Sequence, residues 1–247
     1  VIPPRRPPPW LEACLDVVFP RTCIACGDPP GRAPLRHLCA RCSGALEPIR
    51  GPRCPRCGSP RLPGQTAADP CPECAHFTAR LPWTEGRALF RHRGPGRALL
   101  VALKYQRATY LRDDFRRLLG LFPDLGAWLG PAVIVPVPLF PSRERARGYN
   151  QARELARLLA TLHPGACVGE PLARILDTPS QTRLTRSSRS RNVTHAFALR
   201  PNSPLDRARP HVLLDDVFTT GATLHACASP LRAGGIKSLR VLTWAHG

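Results

Sequence analysis

Four C-x-x-C pairs, Cys23/Cys26, Cys39/Cys42, Cys54/Cys57 and Cys71/Cys74, dominate the first third of this 247-residue chain. Two residues between cysteines let both sulfurs of a tight turn face one ion, and two such turns complete a tetrahedral thiolate site. Gly27 and Gly58 follow the first and third pairs directly, where the turn needs a permissive backbone. The surrounding segment is rich in Pro, Gly and Arg and poor in large apolar residues, so no core of its own holds it together. Structural zinc supplies that cohesion, contributing on the order of 10–16 kcal/mol of coupled folding energy. All-thiolate sites leave no open position, so the expected role is architectural, with one or two ions bound.

The gaps of twelve residues (Cys26 to Cys39) and thirteen (Cys57 to Cys71) suit two successive ribbons, first pair with second and third with fourth. An interleaved pairing stays open on spacing alone. Disulfides are expected only with export, and residues 1–9, rich in proline and arginine, do not resemble a secretory signal. Four pairs in one loop-rich segment also argue against a redox role for any of them. His37 and His76 flank the pairs as reserve ligands, while Cys14, Cys167 and Cys227 read as ordinary buried side chains.

No run of roughly eighteen apolar residues exists, so no membrane span is expected, and the location read from the sequence is cytoplasmic. Residues 10–19 read as an amphipathic helix, interrupted by Glu12 and Asp16. Methionine is absent, so Val1 reads as a non-standard start or a truncated end. The formal charge of +19 comes almost wholly from arginine, because Lys104 and Lys237 are the only lysines. Two tetrathiolate zinc sites lower it to about +15, still enough to attract phosphate-bearing ligands.

From about residue 81 the texture becomes that of an α/β domain. The chain therefore divides into residues 1–20, a zinc module over 21–80 and an α/β domain over 81–247. Helices are expected over 97–105, 111–121, 150–162 and 222–233. Leu155, Leu158, Leu159 and Leu162 lie on one face of the third. Buried strands are expected over 132–137, 211–214 and 238–244, with a mobile loop or hairpin over 174–195. Pro230 falls inside the last helix, where a kink or a restart is expected.

The most informative stretch is residues 211–224, HVLLDDVFTTGATL. A buried strand ends at Asp215 and Asp216, and a turn of Thr219, Thr220, Gly221, Ala222 and Thr223 leads into a helix. The helix N-terminus offers unpaired N–H groups and partial positive charge, and three threonines add hydroxyls. The carboxylates can accept hydrogen bonds from a vicinal diol. Phosphate plus diol is the 5-phosphoribose unit. Neither a P-loop nor a dinucleotide fingerprint fits, because Gly-Lys-Ser/Thr and G-x-G-x-x-G are both absent here.

This stretch resembles the 5-phosphoribosyl diphosphate motif of type I phosphoribosyltransferases, and the chain nearly end to end resembles the ComF family. The resemblance rests on the four cysteine pairs, ALKY at 102–105, VPVPL at 135–139, RGYNQ at 147–151 and the segment 181–197. It implies a type I phosphoribosyltransferase fold with a mostly parallel sheet. The turn at 219–223 would hold the 5′-phosphate, and Asp215 and Asp216 the ribose hydroxyls. The turn after Val135, with Val137, would bind diphosphate, aided by Lys104 and by Arg143, Arg145 or Arg147, and Mg²⁺ would accompany the diphosphate. Gln181, Arg186, Arg189 and Asn192 would lie in a flexible loop near the acceptor. The competing view of Arg143, Arg145 and Arg147 is a solvated helix face, where Arg153 and Arg157 also belong.

Catalysis would displace diphosphate from ribose C1 with a nitrogen nucleophile, and His195 and His225 are the nearby bases. The acceptor is not readable. A different class of function is a non-catalytic phosphoribosyl diphosphate sensor or DNA-uptake accessory, acting with single-stranded DNA or recombination proteins. Trp83, Phe90, Tyr105 and Tyr110 would then stack on bases, or equally fill the core. A glutamine-dependent amidotransferase is disfavoured, because no N-terminal cysteine nucleophile is present.

Overall fold

The computed structural model describes residues 21–62, 64–66, 69–75, 77, 81–105, 109–177 and 195–247. The helix expected over 10–19, with Cys14, and the residues Gln181, Arg186, Arg189 and Asn192 lie outside them. In chain order the elements are α1 (Ala40–Gly44), α2 (Pro72–Ala75), β1 (Glu85–Arg91), α3 (Gly94–Tyr105) and a 3-10 turn (Thr109–Leu111). Then come α4 (Arg112–Leu119), α5 (Leu125–Leu129), β2 (Val133–Pro136), α6 (Pro141–Arg147), α7 (Gln151–Leu162) and β3 (Cys167–Val168). They end with β4 (Leu172–Arg174), β5 (Phe197–Leu199), β6 (His211–Phe218), α8 (Ala222–Ala233) and β7 (Leu239–His246).

Among the described residues, β1, β7, β6, β2 and β3 form a parallel sheet in that order. Buried on both faces, β2 and the first half of β6 read as apolar runs rather than alternating ones. Successive side chains go to opposite faces. Ile134, Val212, Leu214 and Leu242 pack with α3, α4 and α7, and Val133, Val135, Leu213 and Val241 pack with α8. Asn150 starts α7 by accepting from the N–H groups of Ala152 (2.9 Å) and Arg153 (3.3 Å). The expected apolar face is buried at Leu155, Leu158 and Leu159, each contributing roughly 2 kcal/mol.

Three local expectations are corrected. β6 does not stop before the acidic pair but runs on through it to Phe218. β1 has no counterpart in the strands expected from sequence, because Glu85, Arg87 and Arg91 mask its apolar centre. α8 passes through Pro230 without restarting. The stretch expected as a loop or hairpin is flanked by β4 and β5, which pair antiparallel; residues 178–194 between them are outside the described set.

The two ribbons sit on opposite faces of the sheet. The first contributes Leu35, Leu38, Cys39 and Cys42 to the cluster beneath α3 and α4. The second contributes Cys54, Cys57 and Cys71 to the cluster beneath α8. Between them, Glu47 and Ile49 cover the outer edge of β1. Ile49 N–H donates to Leu89 O (2.7 Å), and Arg91 N–H donates to Glu47 O (2.9 Å). The second ribbon and β1 meet backbone to backbone. A Cβ at Gly86 would lie 2.3 Å from Arg56 O, and one at Gly58 would lie 2.4 Å from Ala88 N.

The first ribbon is anchored by Asp114 of α4, whose side chain is fully buried. It accepts from the backbone N–H groups of Arg36 (2.7 Å) and His37 (3.0 Å) and meets His37 Nδ1 at 2.9 Å. Burial alone would raise this carboxyl, but the His37 ring and the two N–H groups outweigh it and hold it below its ordinary value. The carboxylate therefore contributes stability above about pH 4, and that contribution fades as pH falls toward its lowered native value. Asp114→Ala is expected to cost about 3 kcal/mol, measured by urea unfolding at pH 7, with the deficit shrinking in acid.

Candidate functional site

Eight sulfurs gather in two groups, Cys23, Cys26, Cys39, Cys42 and Cys54, Cys57, Cys71, Cys74, with the ligand atoms of each group within 4.8 Å of one another. The pairing is successive, first with second and third with fourth, so the interleaved alternative falls away. Cys26 and Cys39 approach to 3.7 Å, Cys57 and Cys71 to 3.6 Å, and Cys54 and Cys74 to 3.7 Å. Burial and the neighbouring thiols push Cys42 up to about 12, and the contact with Cys54, with burial, does the same to Cys74. Four thiolates do not coexist in such a space without a cation between them, and the donor set and grouping fit structural zinc. His37 is engaged with Asp114 instead, and His76 lies outside the described residues.

The chemistry-bearing loops converge elsewhere, at the carboxyl ends of the strands. β2 returns through α7 to β3 on one side, whereas β6 returns through α8 to β7 on the other. The crevice between β2 and β6 is thus the switch point of the sheet, where open α/β folds take their ligands. Two loops leave it, residues 137–140 after β2 and residues 219–221 after β6.

Asp215 and Asp216 stand at that crevice, 9% and 6% exposed. As strand residues they face opposite ways. Asp216 turns toward α3, where Lys104 pairs with it. Asp215 turns toward α8, close enough for its charge to act on Cys227 and Arg174. Burial, then the charge of Asp216, pushes Asp215 up to about 8. Its neighbour across the ladder is Thr243, whose buried hydroxyl has no hydrogen-bond partner among the described residues.

Gly221 takes φ 71 at the start of α8, a left-handed conformation that favours glycine. Thr219, Thr220 and Thr223 are half-buried around it. Thr220 Oγ1 accepts from Ala222 N–H at 3.4 Å, and Gly221 O accepts from His225 N–H at 2.8 Å.

The RGYNQ stretch connects this crevice to α3. Tyr149 donates its hydroxyl to Leu103 O beside Lys104. Asn150 Nδ2 donates to Val137 O (2.9 Å), and Val137 N–H donates to Leu214 O (2.9 Å). Lys104, Val137 and the acidic pair are thereby held in one unit.

The three arginines of α6 diverge. Arg147 bonds Gln151 and lies over the Tyr105 ring at 5.5 Å. Arg143 pairs with Asp177 at 3.1 Å. Arg145 is exposed and lines an open cleft of about 600 Å³ with Leu139, Arg174 and Arg200, a lining that includes none of residues 219–223. Arg153, expected on the surface, instead joins Glu144 and Glu170 with only 16% of its side chain exposed. Arg157 is a surface residue, as expected. Of the four aromatics, Trp83 and Phe90 are core, whereas Tyr105 and Tyr110 are exposed. His195 is exposed and His225 stacks on Phe77. Sequence reasoning missed His92, which ends up at the same strand ends and feels both Lys104 and Asp216. Only the strand that precedes it, itself missed, would have flagged it.

Residues 14–75 match the double zinc ribbon domain family. Over 208 residues the chain is 31% identical to the DNA utilization protein YhgH of Salmonella typhimurium, covering 83% of this chain and 88% of that one. It is 29% identical to competence protein F of Haemophilus influenzae over 81% and 87% of the two chains. It is also 29% identical to competence protein ComFC of Bacillus subtilis over 82% and 80%. Identity at this level along most of both chains reflects common descent, and the chain belongs to the ComF family.

Proposed function

We propose that this protein binds 5-phosphoribosyl diphosphate with Mg²⁺ at the β2/β6 crevice and acts in DNA uptake and use. The observation that carries the reading is the coincidence of a buried carboxylate pair with a Thr-Thr-Gly-Ala-Thr helix start at the sheet's switch point. In this reading residues 219–223 hold the 5′-phosphate, Asp215 and Asp216 the ribose diol, and the loop at Val137 with Lys104 the diphosphate. Magnesium, bound with the ligand, would neutralise the leaving group. Arg145 and Arg143 would flank the diphosphate side, whereas Arg147 is engaged with Gln151 and the Tyr105 ring. The cleft of Arg145, Arg174 and Arg200 lies beside β4, and this reading assigns the acceptor side to Gln181, Arg186, Arg189 and Asn192. The link to DNA comes from the relatives, whose names carry competence and DNA utilization.

Lys104 has two roles in sequence. Without ligand it neutralises Asp216; with ligand it turns to diphosphate and frees that carboxylate for the diol. Displacement of diphosphate from C1 by a nitrogen nucleophile then depends on positioning and charge rather than on a strong base. Diphosphate release with Mg²⁺ and candidate amines or nucleobases tests turnover. Tight binding with no release in any acceptor series identifies a sensor instead.

Asp215 also sets a pH dependence. Its raised value keeps the carboxyl protonated at neutral pH, and accepting hydrogen bonds from both hydroxyls of a ribose diol selects the ionised form. Affinity is expected to rise from pH 6.5 to about 8 and then level. Calorimetry in buffers of different ionisation enthalpy should register proton release at pH 7, and a flat profile with no proton released contradicts the assignment.

A further inference from the structure

The phosphate turn is walled by a side chain from the zinc module. A Cβ at Gly221 would lie 2.7 Å from the ring of Phe218, on the preceding strand, and 2.7 Å from the ring of Phe77. Phe77 follows the fourth cysteine pair closely, and its N–H donates to Cys74 O at 3.1 Å. Its ring stacks on His225 (centroids 5.9 Å apart, planes at 16°), in the first turn of α8. Trp83 closes the group, edge-on to Phe77 at 6.1 Å and to His225 at 6.5 Å. Trp83 Nε1 in turn donates to Arg56 O at 2.6 Å, inside the third cysteine pair. The fourth cysteine pair therefore carries one ring, Phe77, to the first turn of α8, and the third pair anchors a second, Trp83, beside it. The first ribbon packs on the opposite face, against α3 and α4.

We infer that the second zinc ribbon sets the conformation of the phosphate turn, with Phe77 as the positioning residue, so that zinc at Cys54, Cys57, Cys71 and Cys74 and a sugar phosphate at residues 219–223 stabilise one another. This rests on the phosphoribosyl reading of that turn. The coupling is reciprocal by necessity: if the metal orders the turn for the ligand, the ligand holds the metal. Loss of this ion, by chelation or thiol oxidation, then lowers ligand affinity without any change at Asp215, Asp216 or Lys104.

The test follows zinc release from the full-length, two-zinc protein to the chromogenic chelator 4-(2-pyridylazo)resorcinol, with Mg²⁺ alone or with 5-phosphoribosyl diphosphate. A Cys57→Ser variant identifies which kinetic phase belongs to the second site. The ligand is expected to slow that phase about fivefold or more and to leave the other unchanged. Phe77→Ala is expected to keep both ions, lose the protection and bind the ligand about fivefold or more weakly. Should that variant misfold, the wild-type release rates decide alone. Wild-type protein that binds the ligand by calorimetry yet releases both ions at unchanged rates overturns the coupling and leaves the phosphate site standing. Wild-type protein that binds no ligand overturns both.

Discussion

Cys57→Ser is expected to drop the zinc content from two ions per chain to one and to unfold the second ribbon while the first stays closed. Structural zinc contributes on the order of 10–16 kcal/mol, as much as a whole domain's typical stability, so little is left to hold that ribbon's loops. The damage extends past the ribbon because its cysteines are part of the core. Cys54, Cys57 and Cys71 pack with Trp83, Val135, Leu213 and Leu224. Trp83, only 4% exposed, would become solvated. Metal analysis with tryptophan emission checks this: one zinc and a red-shifted spectrum are expected, whereas two zinc ions and an unaltered melting temperature contradict it. Loss of the first site would instead loosen Leu35 and Leu38 from α3 and α4, on the other face.

Asp215→Asn is expected to separate stability from binding. The native carboxyl is held near 8 by burial beside Asp216, so the folded state favours its neutral form. In the unfolded chain it ionises near pH 4, so it makes stability fall between about pH 4 and 8. Asn keeps the shape and removes this penalty, and the variant is expected to melt at or above the wild-type temperature at pH 8. Ligand binding should fall about 100-fold, the cost of one or two charge-assisted hydrogen bonds. Adding Asp216→Asn, which also strands Lys104, should abolish measurable binding. A more stable protein with a lost ligand is what a functional site predicts; a destabilised protein with unchanged binding would make Asp215 a structural residue.

Much of the frame was legible because its signals are local. The C-x-x-C spacing led to the two metal sites, and their successive pairing agreed with the gap lengths. The bounds of α8 were readable from Gly221 and from Gly234 with Gly235, and those of α7 from Asn150 and its leucine stripe. What stayed hidden depends on partners distant in sequence. β1 pairs with β7 more than a hundred residues away, and its Arg87 is buried only because Asp124 and Trp128 receive it. Arg153 looked like a surface charge until Glu144 and Glu170 closed on it. Sequence pattern alone puts the acidic pair at the end of a strand. Being inside β6 instead, its members address opposite faces, a division that pairs Asp216 with Lys104 and turns Asp215 toward α8. Phe77 carried no signal at all, since its role depends on a ring packing against a glycine far along the chain.

The central claim is that an activated sugar phosphate seats at the β2/β6 crevice. Its most direct test is calorimetric titration of folded, zinc-replete protein with 5-phosphoribosyl diphosphate, with and without Mg²⁺. Saturable binding at one site per chain, strengthened by the metal and absent in the Asp215→Asn/Asp216→Asn double variant, is the expected result. Heats that never saturate, or equal binding by wild type and double variant, would contradict it.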